Sequence, residues 1–185
     1  MALFVNREFS KIPDAVVIPN LSNDNCDATV CFNGRNSKTF IEITQAKDGY
    51  DESLRMEVLS RDGAVSLTSP ITKISGRRGT SKRVVEIPLQ HIAKDRRETV
   101  DKNLSLVETA VRAKANRQYG KQFTLLVVVD DYWPFYDPGD RGRLDELVRR
   151  KLLSEDLDFE RLVIFGLSGD LLFSYRLPKY FANQN

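Results

Sequence analysis

The sequence predicts an α/β domain with a mixed β-sheet flanked by helices, closing with a C-terminal helix and hairpin. Three observations carry this. Residues 28–45 alternate as a hairpin, residues 100–119 keep a helical stripe, and residues 123–130 form an uninterrupted apolar run that suits a strand covered on both faces. At 185 residues, with 41% hydrophobic and 29% charged side chains, the chain has the size and composition of one soluble globular domain, residues 1–185.

The elements follow in order. Residues 1–24 are rich in turn formers (Pro13, Pro19, Asn20, Ser22, Asn23) and leave room for one short strand at 15–18. Residues 28–32 are apolar and partly β-branched, Asn33-Gly34 signals a hairpin turn, and residues 38–45 alternate with period two. Residues 51–61 read as a short helix stopped at Asp62-Gly63. Residues 63–98 are a long irregular stretch broken by Pro70, Gly76, Gly79 and Pro88, with a strand at 83–87; so long a connection in a compact domain is usually functional or mobile.

In the helix over 100–119, Val100, Leu104, Val107, Val111, Lys114 and Gln118 share one stripe, with Ala110, Ala115 and Tyr119 beside it and Gly120 as the stop. An acidic, aromatic loop at 130–140 leads to an amphipathic helix over 141–153. A last hairpin pairs 161–165 with 171–175 around Leu167-Ser168-Gly169-Asp170.

Composition also excludes functions. No apolar run approaches the about 20 residues that span a bilayer, and the N-terminal segment is too short in its apolar part and too charged for a secretory signal. A cytoplasmic location is therefore expected. Two cysteines, Cys26 and Cys31, and one histidine, His91, are too few for a disulfide framework or a structural zinc site. His91 reads as a surface or capping residue. No P-loop, dinucleotide-binding glycine motif or nucleophile elbow is present.

A net charge of +2 says little, but its distribution says more. Lys73, Arg77, Arg78, Lys82, Arg83, Lys94, Arg96 and Arg97 face only Glu86 and Asp95 over that stretch. Such a run suits a phosphate-contacting surface, and equally a solvated loop. Tyr132 to Tyr136 offer stacking platforms or the cover of a core edge. Asp130 and Asp131 offer a second metal position or a turn cap.

The hairpin register bears on chemistry. With a four-residue loop over 33–36, Asp27 falls opposite Glu42, and a two-residue loop makes them diagonal neighbours on one face; a three-residue loop separates them. Two carboxylates so placed can hold Mg²⁺ or Mn²⁺, which prefer oxygen ligands and retain waters. They can also simply form the polar face of a half-exposed hairpin.

An Asp at the start of the first hairpin strand (Cys26-Asp27), apolar-Glu-apolar in the second (Ile41-Glu42-Ile43), then a helix (residues 111–119) and a buried strand (124–129) resemble the restriction-endonuclease-like PD-(D/E)XK nuclease superfamily over residues 26–130. The resemblance implies a restriction-endonuclease-like core, Asp27 and Glu42 as ligands of Mg²⁺ or Mn²⁺, and nucleic acid as substrate, DNA ahead of RNA. Lys73, Arg77, Arg78, Lys82 and Arg83 would then grip backbone phosphates. A homodimer or a protein partner stays open. Three departures stand out. Cys26 replaces a proline, residues 1–25 show no acidic helix, and Thr44 holds the position of the motif lysine. That lysine steadies charge at the reacting centre. Lys114, placed inward by its spacing from Val107, is the substitute; Lys47 and Gln45 are weaker ones. Lys114 can also be a surface lysine laying its stem over the core. The loss at Thr44 favours an alternative: an inactive nuclease-fold protein that binds nucleic acid or another protein.

Overall fold

A computed structural model describes residues 4, 7–8, 12, 15–21, 26–32, 38–66, 69–89, 95–115, 117–132, 134–170 and 172–177. His91 and Lys94, the turn at 33–36, the turn formers Pro13, Ser22 and Asn23, and Trp133 lie outside the described residues. Contacts divide the chain into two compact units, 1–46 with 100–185, and 47–99.

The first unit is mixed α/β. Its strands are β1 (Ala15–Pro19), β2 (Ala28–Phe32), β3 (Lys38–Gln45), β6 (Gly120–Val129), β7 (Phe159–Gly166) and β8 (Leu172–Arg176). They form one six-stranded sheet in the order β1-β2-β3-β6-β7-β8. The β1–β2, β2–β3 and β7–β8 pairs are antiparallel, whereas β6 lies parallel to both β3 and β7. A parallel neighbour requires a long crossover. The chain between β3 and β6 includes the helix α2 (Arg96–Ala115).

Alternation sorts the sheet's faces. Leu125, Val127 and Val129 of β6 join Leu162 and Ile164 of β7 in a core with Val107, Ala110 and Val111 of α2 and Leu144 and Val148 of α3 (Pro138–Leu147) and its continuation. Leu126, Val163 and Phe165 point the other way, into a second cluster with Val30, Ile41 and Phe4. The central strand is thus covered on both sides, as its continuous apolar run requires.

Helix α3 starts where Asp137 accepts the Gly139 amide at 2.7 Å, with Pro138 in the first turn. It runs on into one π turn, Val148–Leu152, whose buried Val148 and Leu152 face the core. The start precedes the expected residue 141 because Pro138 is tolerated in the first turn.

Helix α2 differs more. It begins at Arg96 rather than Val100 and ends at Ala115, not Tyr119. Gly120 does not stop the helix; it opens β6 at φ +85°, its amide bonded to the Asp158 backbone and carboxylate. Gln122 follows at φ +79°, where the β6–β7 register shifts.

In the second unit, α1 (Gly49–Asp62) is capped by Asp48 and closed by Gly63 at φ +74°, as the Asp62-Gly63 signal predicts. The stretch read as irregular contains a hairpin, β4 (Lys73–Ser75) with β5 (Val84–Glu86). Leu54 and Val58 of α1 pack with Val85 and Ile87. The buried Arg55 donates to the Ser69 carbonyl at 2.9 Å and to that of Ser66, which ties down the chain after α1.

Candidate active site

Glu42 stands in the middle of β3, beside Leu125 of β6. Leu125 belongs to the helix-side core, so Glu42 projects toward α2 while Ile41 and Ile43 face the opposite cluster. Glu42 is 7% exposed. A carboxylate so buried needs partners, and three groups supply them. Lys114 Nζ lies 2.5 Å from Oε1, Tyr119 donates its hydroxyl to the same oxygen at 3.1 Å, and an Arg117 nitrogen stands 3.9 Å away. Among the described residues Oε2 accepts nothing.

Lys114 comes from the last turn of α2 and its inward spacing is what brings it here. Tyr119 is held by its ring, stacked on Phe159 at 4.6 Å and tilted against Phe123 at 5.3 Å, with Phe123 itself stacked on Phe40 at 4.9 Å. Burial, with the Glu42 charge beside it, pushes the Tyr119 phenol above its usual pKa. The hydroxyl therefore stays a neutral donor.

Asp27 precedes β2. The β2–β3 pairs run Ala28 with Ile41 through Cys31 with Lys38, the register expected of the four-residue loop, so Asp27 falls level with Glu42. Its backbone is fixed on two sides: its amide donates to the Ile41 carbonyl at 2.9 Å and its carbonyl accepts the Asn20 amide at 2.9 Å. The Asn20 side chain also donates to the Cys26 carbonyl at 3.2 Å. Beyond Ala28 the regular ladder stops, and Asp27 Oδ2 takes the next β3 amide, that of Ile43, at 2.6 Å. Its Oδ1 has no partner among the described residues. Each carboxylate is thus anchored through one oxygen and leaves the other unengaged.

Thr44 lies two residues beyond Glu42 on the same face, half-buried. Lys47 pairs with Glu52 at 2.5 Å, and Gln45 is exposed. Gln45 makes no hydrogen bond with Glu42 among the described residues. Arg117 and Tyr119 were not singled out from the sequence as site residues. A helix continued through Tyr119 puts Tyr119 merely beside the core stripe, whereas a chain that leaves α2 at Ala115 turns it back onto Glu42.

The basic residues separate into two kinds. Arg77, Arg78 and Lys82 are exposed in the β4–β5 connection and have no ion pair among the described residues. Lys73 pairs with Glu86 across the hairpin at 3.1 Å. Arg83 pairs with Glu57 at 3.1 Å and donates to the Gly76 carbonyl, with only 13% of its side chain exposed.

The acidic loop takes the turn-cap role. Asp130 accepts the Tyr132 amide at 3.2 Å. Asp131 is buried and accepts both the amide and the hydroxyl of Ser168. Phe135 is fully buried in the core, while Tyr132 and Tyr136 are exposed. No helix among the described residues is long and apolar enough to cross a membrane.

Comparison with protein-family models, with curated proteins and with solved structures finds no match to this chain.

Proposed function

We propose that this chain is a metal-dependent nuclease of the PD-(D/E)XK type, hydrolysing phosphodiester bonds in nucleic acid, with DNA the expected substrate ahead of RNA. The observation that carries the reading is the meeting of Lys114 with Glu42, on the face of the sheet where the register also sets Asp27. The fold supports it as well: the β2–β3 hairpin, then α2, then the buried strand β6, is the order of elements on which the resemblance rests.

The donor set fits a hard divalent cation. Asp27, just before β2, and Glu42, in β3, offer carboxylate oxygens, each with one unengaged among the described residues, and Mg²⁺ or Mn²⁺ needs few protein ligands because it keeps its waters. Bound there, the ion supplies charge stabilisation at a phosphoryl group and a more acidic water. Tyr119 keeps Glu42 in place. Lys114 steadies the water or the charged phosphoryl oxygens, the role Thr44 lacks the charge to fill. Arg77, Arg78 and Lys82 contact backbone phosphates without reading sequence, with Lys73 and Arg83 contributing less because each already has a carboxylate partner.

A second reading has its own observation. Thr44 and the neutralisation of Glu42 by Lys114 both suit a nuclease fold that binds nucleic acid, or a protein partner, without cutting it. A cleavage assay on single- and double-stranded DNA and RNA with Mg²⁺ or Mn²⁺ separates them. The nuclease reading predicts metal-dependent cutting that falls by at least about 10²-fold in Asp27→Ala. Folded protein that cuts none of these substrates belongs to the second reading.

A further inference from the structure

Glu42 Oε1 is crowded by donors while Oε2 has none among the described residues. Lys114 is the nearest donor, at 2.5 Å, and its side chain is 18% exposed. A buried carboxylate with one ammonium on it already has its charge balanced. A divalent cation approaching the same carboxylate meets that ammonium as a like charge at close range, where the low local dielectric strengthens the repulsion.

The two holders of Glu42 differ in kind. Tyr119 is held by its ring against Phe159 and Phe123. Lys114 is a point charge on a flexible four-carbon stem, able to swing away with α2 unmoved. We propose that Lys114 is an internal counter-cation that competes with a divalent ion for Glu42. Asp27 and Glu42 take the ion only as Lys114 gives up its contact, and the released ammonium is then free to meet an anionic phosphoryl group. Tyr119 meanwhile keeps Oε1 in place. Without the ion the pair balances the Glu42 charge, and metal uptake and the release of Lys114 are one event. This rests on the metal reading of Asp27 and Glu42.

The test is Mn²⁺ binding, followed by the loss of the free-ion paramagnetic resonance signal, to wild type, Lys114→Gln and Lys114→Arg. Lys114→Gln removes the charge but keeps a donor for Glu42, and Lys114→Arg keeps the charge. The expected result is at least tenfold tighter binding in Lys114→Gln, with Lys114→Arg close to wild type. Should Lys114→Gln not fold, the wild-type protein gives the same information. Acetylation of Lys114 by an amine-reactive ester, read by mass spectrometry, should run several-fold faster with saturating Mn²⁺ than without it. Mn²⁺ binding that Lys114→Gln leaves unchanged or weakens, or an acetylation rate that Mn²⁺ does not raise, overturns the competition and leaves the metal reading standing. Folded wild type and variants that bind no Mn²⁺ overturn both.

Discussion

Asp131 and Gly166 show how far a single residue can be committed to structure. A Cβ at Gly166 would stand 2.1 Å from Asp131 Oδ2, and that carboxylate is already engaged by the amide and hydroxyl of Ser168. Neither partner can give way cheaply. Gly166→Ala should therefore cost about 1–3 kcal/mol in urea unfolding, and a loss near zero would mean that Asp131 is not fixed where the structure has it. Glu42 and Lys114 are a different case. Their ion pair leaves Oε2 unengaged among the described residues, where Asp131 has both oxygens filled. Glu42 was legible in the sequence because period-two alternation fixes its face, and Lys114 because seven residues from Val107 is two helical turns. Tyr119 and Arg117 were not legible as site residues. Their approach depends on where α2 ends, and the Gly120 read as a helix stop opens a strand instead.

At the scale of elements, the β2–β3 hairpin follows its alternation and turn signal, and its register is one of the two that bring Asp27 level with or diagonal to Glu42. Helix α1 likewise ends at the glycine that marks it. The β4–β5 hairpin was harder to see. Strands of three residues are too short to show a period, and only the β5 side was apolar enough to read. That hairpin divides its own cations. Arg83 is partly buried against Glu57, whose Oε2 is buried without a hydrogen bond, so removing Arg83 strips that carboxylate of its ion-pair partner among the described residues. Arg83→Ala should destabilise the protein by about 1–3 kcal/mol, whereas Arg77→Ala, Arg78→Ala and Lys82→Ala should each stay within about 0.5 kcal/mol. Thermal unfolding of the four variants reads this, and an Arg83→Ala as mild as the other three would contradict its structural role.

For the molecule as a whole, the α/β class, the mixed sheet and the closing helix and hairpin were legible because long apolar patterns fix which elements exist. The sheet order was not, since periodicity names strands and does not say which neighbours they choose. The net charge of +2 is too small to draw nucleic acid by itself, so affinity must come from local cations. Each phosphate contact contributes about 0.9 to the slope of log affinity against log salt on duplex DNA. Replacing Arg77, Arg78 and Lys82 together by alanine should thus flatten that slope by about 2–3 if all three meet phosphate. An unchanged slope, with binding intact, would place the phosphate contacts elsewhere.

Cleavage of a labelled DNA duplex and its single strand by wild type and Glu42→Gln, with and without Mn²⁺, tests the metal-dependent nuclease reading most directly. Glu42→Gln keeps the shape and a hydrogen-bonding oxygen for Lys114 and Tyr119 while removing the charge that a cation needs. Cutting that requires Mn²⁺ in wild type and disappears in folded Glu42→Gln is the predicted result. Cutting that survives in Glu42→Gln, or that proceeds without a divalent ion, would contradict it.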